Sequence, residues 1–241
     1  MKRRLSLIIP AYNEGEVIAS TLTAVVNHLD KSAYAYEVIV VCDGCRDKTA
    51  SIVREAAKKH DAIKVIDRKK NRGKGFSIKE GILASRGDYL VFTDADLSTP
   101  IEEIDQLLHL LDDDYDIVIG SRALAESDIQ IHQPWYRETM GKIFNLLVQA
   151  LAVRGIKDTQ CGFKGFRKEA AETIFPLQTI YGFGFDVELL YIAKKHGFSI
   201  KEVPVRWLNR EASRVNPLTH SSQMFLDLLR IRAGDVKGRY G

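Results

Sequence analysis

The sequence is poor in the features that would make a chain secreted, membrane-spanning or nucleic-acid-binding. It has only three cysteines, Cys42, Cys45 and Cys161. An odd count argues for free thiols rather than a disulfide framework. No apolar run reaches the ~18 residues that a membrane span requires. The N-terminal Met1–Pro10 begins like a signal peptide, but its apolar stretch is short and Pro10 and Glu14 follow at once, so it reads as a first strand and predicts a cytoplasmic chain. Charge of one sign is also scarce: 35 Lys and Arg against 32 Asp and Glu leave +3, too little to call for a nucleic-acid partner. No Gly-x-Gly-x-x-Gly follows the first strand, which disfavours a dehydrogenase, and the P-loop spacing is missing. Internal repeats and low-complexity linkers are absent.

The remaining composition is globular: 241 residues, 45% hydrophobic and 28% charged, enough for one large α/β domain with its own core. Short apolar or β-branched runs at 5–9, 37–41, 62–66, 89–93 and 117–119 alternate with helical spacing at 16–29, 49–60, 76–84 and 101–111. This predicts a mostly parallel, doubly wound sheet. Beyond 120 the pattern loosens. A strongly amphipathic helix is expected at 136–153, with Met140, Ile143, Phe144, Leu147 and Leu151 as its apolar stripe. A turn with short strands is expected at 161–166, a helix at 187–195, an edge strand at 200–207 with Pro204 in it, a last helix at 223–231 and a frayed tail at 232–241.

Residues with chemistry gather at predicted strand ends. Asp94-Ala95-Asp96 follows an apolar strand directly. Residues two apart at a strand end point the same way, so the two carboxylates suit a hard divalent cation at the rim where open α/β sheets bind ligands. The alternative is an acidic turn that caps the helix at 101–111. Pro10-Ala11-Tyr12-Asn13-Glu14 offers an aromatic ring and backbone N–H groups to a nucleotide, or is a polar loop with a cap near Asn13. Asp43-Gly44 offers a base acceptor and a tight turn. Asn71-Arg72-Gly73-Lys74-Gly75 supplies backbone freedom and two cations beside a phosphate or base, or simply leads into a helix. Arg122 and Arg137 suit bidentate phosphate capture, or are surface ion-pair partners. Cys42 and Cys45 form a C-x-x-C, but nothing else in the chain serves disulfide exchange.

Together these strand-end motifs resemble the family-2, GT-A-fold glycosyltransferases. Gly120-Ser121-Arg122, Gln133-Pro134-Trp135-Tyr136-Arg137, Asp158-Thr159-Gln160-Cys161-Gly162-Phe163-Lys164, Phe185-Asp186-Val187-Glu188 and Pro204-Val205-Arg206-Trp207 narrow the resemblance to the polyprenyl-phosphate sugar synthases. The dolichyl-phosphate β-glucosyltransferase branch is the nearest, with the mannose synthases as cousins. The resemblance covers about residues 5–232. It implies a single GT-A domain with a nucleotide-sugar half (1–122), an acceptor half (123–232) and a tail (233–241). It implies inverting transfer of a hexose, glucose from UDP-glucose ahead of mannose from GDP-mannose, to a polyprenyl phosphate at the cytoplasmic face of a membrane. Pro10, Ala11, Tyr12, Glu14, Asp43, Lys74 and Ala95 would line the donor. Asp94 and Asp96 would hold Mg²⁺ or Mn²⁺ and the diphosphate. Arg122 and Arg137 would grip the acceptor phosphate, with Arg206 and Arg214 near the donor diphosphate. Asp186 is the spare carboxylate for a base or a sugar hydroxyl.

Two departures stand out. The family's usual Asp-Asp-Gly-Ser reads Cys42-Asp43-Gly44-Cys45 here, and Ser98 stands where mannose synthases often carry a glutamine ligand. The second departure favours glucose.

The implied chemistry is self-consistent. A phosphate monoester with a second pKa near ~6 is largely dianionic at neutral pH and needs little help from a base. A lipid acceptor also gives the amphipathic helix, with Trp135, Lys142 and Arg137 near headgroups, a place at the interface. Ordinary core packing is its other reading. The rival functions are a glycosyltransferase with a non-lipid acceptor and a non-catalytic nucleotide-sugar adaptor.

Overall fold

The computed structural model describes residues 3–130, 135–208 and 217–241; side chains are described throughout these except at 135–140, 142, 143 and 217–222. The first half alternates as the hydrophobic pattern requires: β1 (Arg4–Ala11), α1 (Ile18–Leu29), β2 (Ala35–Asp43), α2 (Thr49–Lys59), β3 (Ile63–Arg68), α3 (Lys74–Ala84), β4 (Tyr89–Phe92), a 3-10 turn (Ile101–Glu103), α4 (Ile104–Asp112) and β5 (Ile117–Ser121). The second half adds β6 (Asp128–Ile129), α5 (Trp135–Leu151), β7 (Lys164–Arg167), α6 (Lys168–Leu177), α7 (Phe185–Lys195), β8 (Ile200–Pro204), β9 (Arg206–Trp207) and α8 (Pro217–Val236).

Seven strands form one sheet in the order β3-β2-β1-β4-β7-β5-β8, and β6 pairs with β9 in a separate ribbon. Only β7 runs antiparallel, between β4 and β5. Side chains of a strand alternate between faces, and here both faces are covered. Leu5, Leu7 and Ile9 of β1 join α1, α2 and α4 in one apolar layer. Ile8, with Ile39 and Val41 of β2, joins α3, α6, α7 and α8 in the other. This double burial accounts for the uninterrupted apolar runs of the parallel strands. The strand order reverses on either side of β1, so the loops after β1, β2 and β4 open one crevice at their C-terminal ends. Such a switch point is where open α/β sheets take ligands.

Several expectations are corrected. β1 runs on through Pro10 to Ala11. Pro10 pairs only with Val41 of β2, because β4 ends opposite Ile8, so its missing N–H costs no β4 hydrogen bond. The strand expected at 200–207 breaks at Val205: β8 is the sheet edge and β9 leaves to pair with β6. The helix α6 carries buried Ala170, Ala171, Ile174 and Phe175 at helical spacing and was not anticipated. Nor does the tail fray. α8 continues to Val236, and the chain turns back to bury Tyr240 completely.

Candidate active site

One wall of the crevice is the β1 loop stitched to the β2–α2 loop. Cys45 Sγ donates to Ala11 O, and Asn13 N reaches that sulfur. Asn13 takes a left-handed φ of +56°, a conformation that asparagine tolerates better than most residues, and its Oδ1 accepts from Arg46 N. Asp47 accepts from Gly15 N, Thr49 N and Thr49 Oγ1, and Glu14 N donates to Thr49 Oγ1. Asp47 thus ties the two loops together at the start of α2. Tyr12 projects from this wall, 39% exposed. The C-x-x-C is part of the same masonry. Burial, and then neighbouring Cys45, push the Cys42 thiol up to about 12, which leaves it protonated and unreactive.

Asp43 is buried at the end of β2, and its carboxylate is already engaged. Oδ1 accepts from Arg72 N at 2.8 Å and Arg68 Nη2 at 2.6 Å, and Oδ2 accepts from Gly73 N at 2.8 Å. The expected base acceptor is first the anchor of the loop 71–75. The loop brings Lys74 to the first turn of α3, where its ammonium forms an ion pair with Asp94. Burial alone would lower the Lys74 pKa; Asp94, Asp186 and Asp96 around it outweigh burial and raise it.

Asp94 and Asp96 lie just beyond β4, both half-buried with Ala95 buried between them. Asp96 accepts from Ser98 N and Ser98 Oγ at 2.9 and 2.8 Å, so Ser98 orients this carboxylate. Leu97 takes a positive φ in the turn. Gly162, after the 158–161 segment, packs so tightly on Asp94 that any side chain there would collide with the carboxylate. Leu208 N donates to Ser98 O at 2.7 Å and closes the other side of the turn.

In the second half the structure moves three expected roles. The Arg122 fork is taken by Asp158: Nε to Oδ2 at 2.7 Å, Nη2 to Oδ1 at 2.9 Å, with the Arg122 backbone N–H also on Oδ2. The Trp207 ring lies 5.4 Å from the guanidinium. Only the Nη1 side of Arg122 lies outside the Asp158 pair. Asp186 is 4% exposed and bound to the fully buried Lys164, whose ammonium also donates to Cys161 O. A carboxylate so enclosed is a structural counter-ion rather than a spare base. Burial raises its pKa against the opposing effect of Lys164 and Lys74. Arg206 is drawn to the surface, where Nε donates to Glu103 at 2.8 Å, and it is not part of the crevice wall described above. The side chain of Arg137 and all of Arg214 lie outside the described residues. Sequence reasoning assigned no role to Asp158, Lys164, Gly162 or Glu188, although each sits in a quoted motif. Of these only Lys164 had a signal, as a lone charge within Cys161-Gly162-Phe163-Lys164-Gly165-Phe166.

Asp94 and Asp96 suit a hard cation. They offer carboxylate oxygens and no sulfur or imidazole, and such a cation takes its remaining oxygens from diphosphate and water. Among the described residues no group of three or more acidic, His or Cys side chains could hold a metal by itself, so a cation here would need the substrate as co-ligand. The Lys74 ammonium drawn to Asp94 shows that the turn attracts positive charge.

A mostly parallel sheet with paired carboxylates on its switch-point rim is the arrangement that the resemblance to the GT-A glycosyltransferases implies. Residues 6–175 match the model described as Glycosyl transferase family 2, and the chain belongs to that family. It is 40% identical over 240 residues to the dolichyl-phosphate β-glucosyltransferase of Dictyostelium discoideum, covering 95% of this chain and 73% of that protein. It is 37% identical to the enzyme of the same name from Homo sapiens, covering 99% and 78%. Among solved structures it is similar to glucosyl-3-phosphoglycerate synthase from Mycobacterium tuberculosis in complex with Mn²⁺, UDP-glucose and phosphoglyceric acid, with a TM-score of 0.74 at 20% identity over 95% of this chain and 79% of that one. The same protein was solved with Mg²⁺ and UDP, at a TM-score of 0.73 and 21% identity over the same shares of the two chains. At that identity the likeness speaks for the fold.

Proposed function

We propose that this enzyme transfers glucose from UDP-glucose, with inversion, to a polyprenyl phosphate of the dolichol type. The observation that carries the chemistry is the Asp94-Ala95-Asp96 turn at the switch point with Lys74 laid against it; the names of the relatives supply the sugar and the acceptor. The donor half is 1–122 and the acceptor half 123–232. Tyr12 and the β1 loop face the base, and Asp43 sets the loop that presents Lys74 to the diphosphate. Bound at Asp94 and Asp96, Mg²⁺ or Mn²⁺ would neutralise the departing diphosphate. Lys74 adds a second positive charge on the same side.

The acceptor needs no protein base. Its phosphate has a second pKa near ~6 and is largely dianionic at neutral pH. The loss of Asp186 as a free base therefore takes nothing from the mechanism. The enzyme's task is to place the phosphoryl oxygen against the anomeric carbon and to stabilise the leaving charge. On the acceptor side, Arg122 offers its Nη1 edge, and its fork on Asp158 holds that edge still. Arg137 is assigned the same phosphate.

Peripheral contact with a membrane is part of this reading. Among the described residues no helix is long and apolar enough to cross one. The expected stripe on α5 is partly core: Phe144 and Leu151 pack inward beside the fully buried Val148, while the side chains of Met140 and Ile143 lie outside the described residues. Its outward apolar edge is Leu146 and Leu147, and α8 exposes Phe225, Leu226 and Leu229. Apolar edges of this kind suit the headgroup boundary.

The test is a donor screen. The protein is incubated with Mg²⁺, a short polyprenyl phosphate, and labelled UDP-glucose or GDP-mannose. Labelled lipid from UDP-glucose, abolished by chelator, is expected. Product from GDP-mannose alone would reassign the sugar, and no product from either would overturn the reading.

A further inference from the structure

Glu188, on α7, is fully buried, and among the described residues no lysine or arginine forms an ion pair with it. Its carboxylate is held by neutral donors. Thr179 N donates to both oxygens, at 3.1 and 3.0 Å, Thr179 Oγ1 to Oε1 at 2.6 Å, Ile180 N to Oε2 at 2.7 Å and Tyr240 Oη to Oε1 at 2.8 Å. A buried carboxylate that accepts five hydrogen bonds from neutral donors, with the Lys79 ammonium near but held by Pro176 O and Gln178 O, fixes the shape of the backbone that surrounds it.

The segment 178–182 that the carboxylate holds is pressed against the backbone on both sides of Lys74. Gly75 N donates to Tyr181 O at 2.9 Å, and Gln178 Nε2 donates to Gly75 O at 3.0 Å and to Ile180 O at 2.9 Å. A Cβ on Gly73 would stand 2.5 Å from Tyr181 O, and one on Gly75 would stand 2.7 Å from Phe185 Cβ. Gly73 also takes a φ of +97°, a backbone only glycine adopts freely. Lys74 is thus clamped between two glycines by a segment whose own shape is set by Glu188. Tyr240 closes the far end; its carbonyl meets His196 Nε2 at 2.8 Å.

We propose that Glu188, anchored by Tyr240, is a positioning residue that holds Lys74 toward Asp94 and thereby sets the enzyme's affinity for the donor diphosphate. The proposal rests on the reading of Lys74 as a donor-side cation, and the test separates the two. UDP binding in Mg²⁺ buffer is measured by calorimetry on folded protein for Lys74→Met, Glu188→Gln, the double variant and Tyr240→Phe. Lys74→Met is expected to weaken UDP about tenfold and Glu188→Gln by a similar factor, with the double variant no weaker than Lys74→Met alone, because both act through one ammonium. Tyr240→Phe removes one hydrogen bond to a charged group and is expected to cost about threefold or more; it carries the test if Glu188→Gln does not fold. A purely structural Glu188 would lower the melting temperature and leave UDP affinity per folded molecule unchanged. That result beside a weakened Lys74→Met, or losses that multiply in the double variant, overturns the proposal alone. Unchanged affinity in Lys74→Met overturns the donor reading, and the proposal falls with it.

Discussion

Two acidic pairs of the same spacing meet opposite fates in this molecule. Asp94 and Asp96 flank one residue in a turn past a strand, and both stay half-open at the crevice. Asp186 and Glu188 also flank one residue, but on α7, and both are buried. The difference is geometric. Past a strand, alternate residues share a side; on a helix, residues two apart diverge by about 200°. Asp186 accordingly turns toward Lys164, and Glu188 toward Thr179 and Tyr240. One pair stays open at the crevice beside the Lys74 ammonium, and the other is enclosed by hydrogen bonds within the frame behind it.

The sharpest way to break this contrast is to neutralise one carboxylate from each pair. If the turn holds the cation as proposed, Asp94→Asn is expected to cut glucosyl transfer about a thousandfold, about 4 kcal/mol of leaving-group stabilisation, while the melting temperature barely moves. Asp186→Asn leaves the Lys164 ammonium buried without its carboxylate and is expected to cost about 3 kcal/mol of stability, with transfer per folded molecule reduced less than tenfold. Denaturant unfolding and a transfer assay on both variants check the crossing. If Asp186→Asn removes transfer as completely as Asp94→Asn at unchanged stability, the two pairs are not different in kind.

A weaker effect compares two buried carboxylates. Burial works against the Asp158 charge, but Arg122 outweighs it and takes the pKa down to about 2. A folded pKa below the unfolded ~3.9 means stability fully present above about pH 4 and lost as the pH falls through 2, about 2.6 kcal/mol in all. Asp186 is shifted the other way, so its contribution is fully present below the unfolded pKa and lost as the pH rises through the folded value. Stability measured against pH is expected to show a narrowing gap between native protein and Asp158→Asn from pH 4 to pH 2. A gap constant with pH would mean that Asp158 carries no depressed pKa.

The contrast also separates what was legible in the sequence from what was not. The parallel alternation to residue 121 and the Asp94-Ala95-Asp96 turn were readable, because a strand buried on both faces leaves an uninterrupted apolar run and a polar end. The partners of Arg122 and Asp186 were not, because Asp158 and Lys164 are 36 and 22 residues away in sequence. Arg122, read as a phosphate ligand or an ion-pair partner, and Asp186, read as a spare carboxylate for a base or a sugar hydroxyl, both pair with charges that only the path of the chain from 158 into β7 brings near. The helix α6 was legible and passed over: Ala170, Ala171, Ile174 and Phe175 carry its spacing. Tyr240 gave no local signal. A single tyrosine in a polar tail says nothing of a carboxylate 52 residues earlier.

Arg206 supplies the smallest effect and the cleanest check on how far the charged crevice extends. The resemblance put it beside the donor diphosphate; the structure has its exposed guanidinium on the partly buried Glu103 of the 3-10 turn. A pair open to solvent on the arginine side contributes about 0.5 kcal/mol or less. Arg206→Ala is therefore expected to change the melting temperature by no more than a degree or two and to leave the KM for UDP-glucose within about twofold, since twofold is only ~0.4 kcal/mol of transition-state or ground-state binding. Steady-state kinetics at saturating acceptor reads this directly. A KM raised tenfold would mean that Arg206 leaves Glu103 for the diphosphate when the donor binds, and the positive side of the crevice would then include the β6–β9 ribbon as well as Lys74.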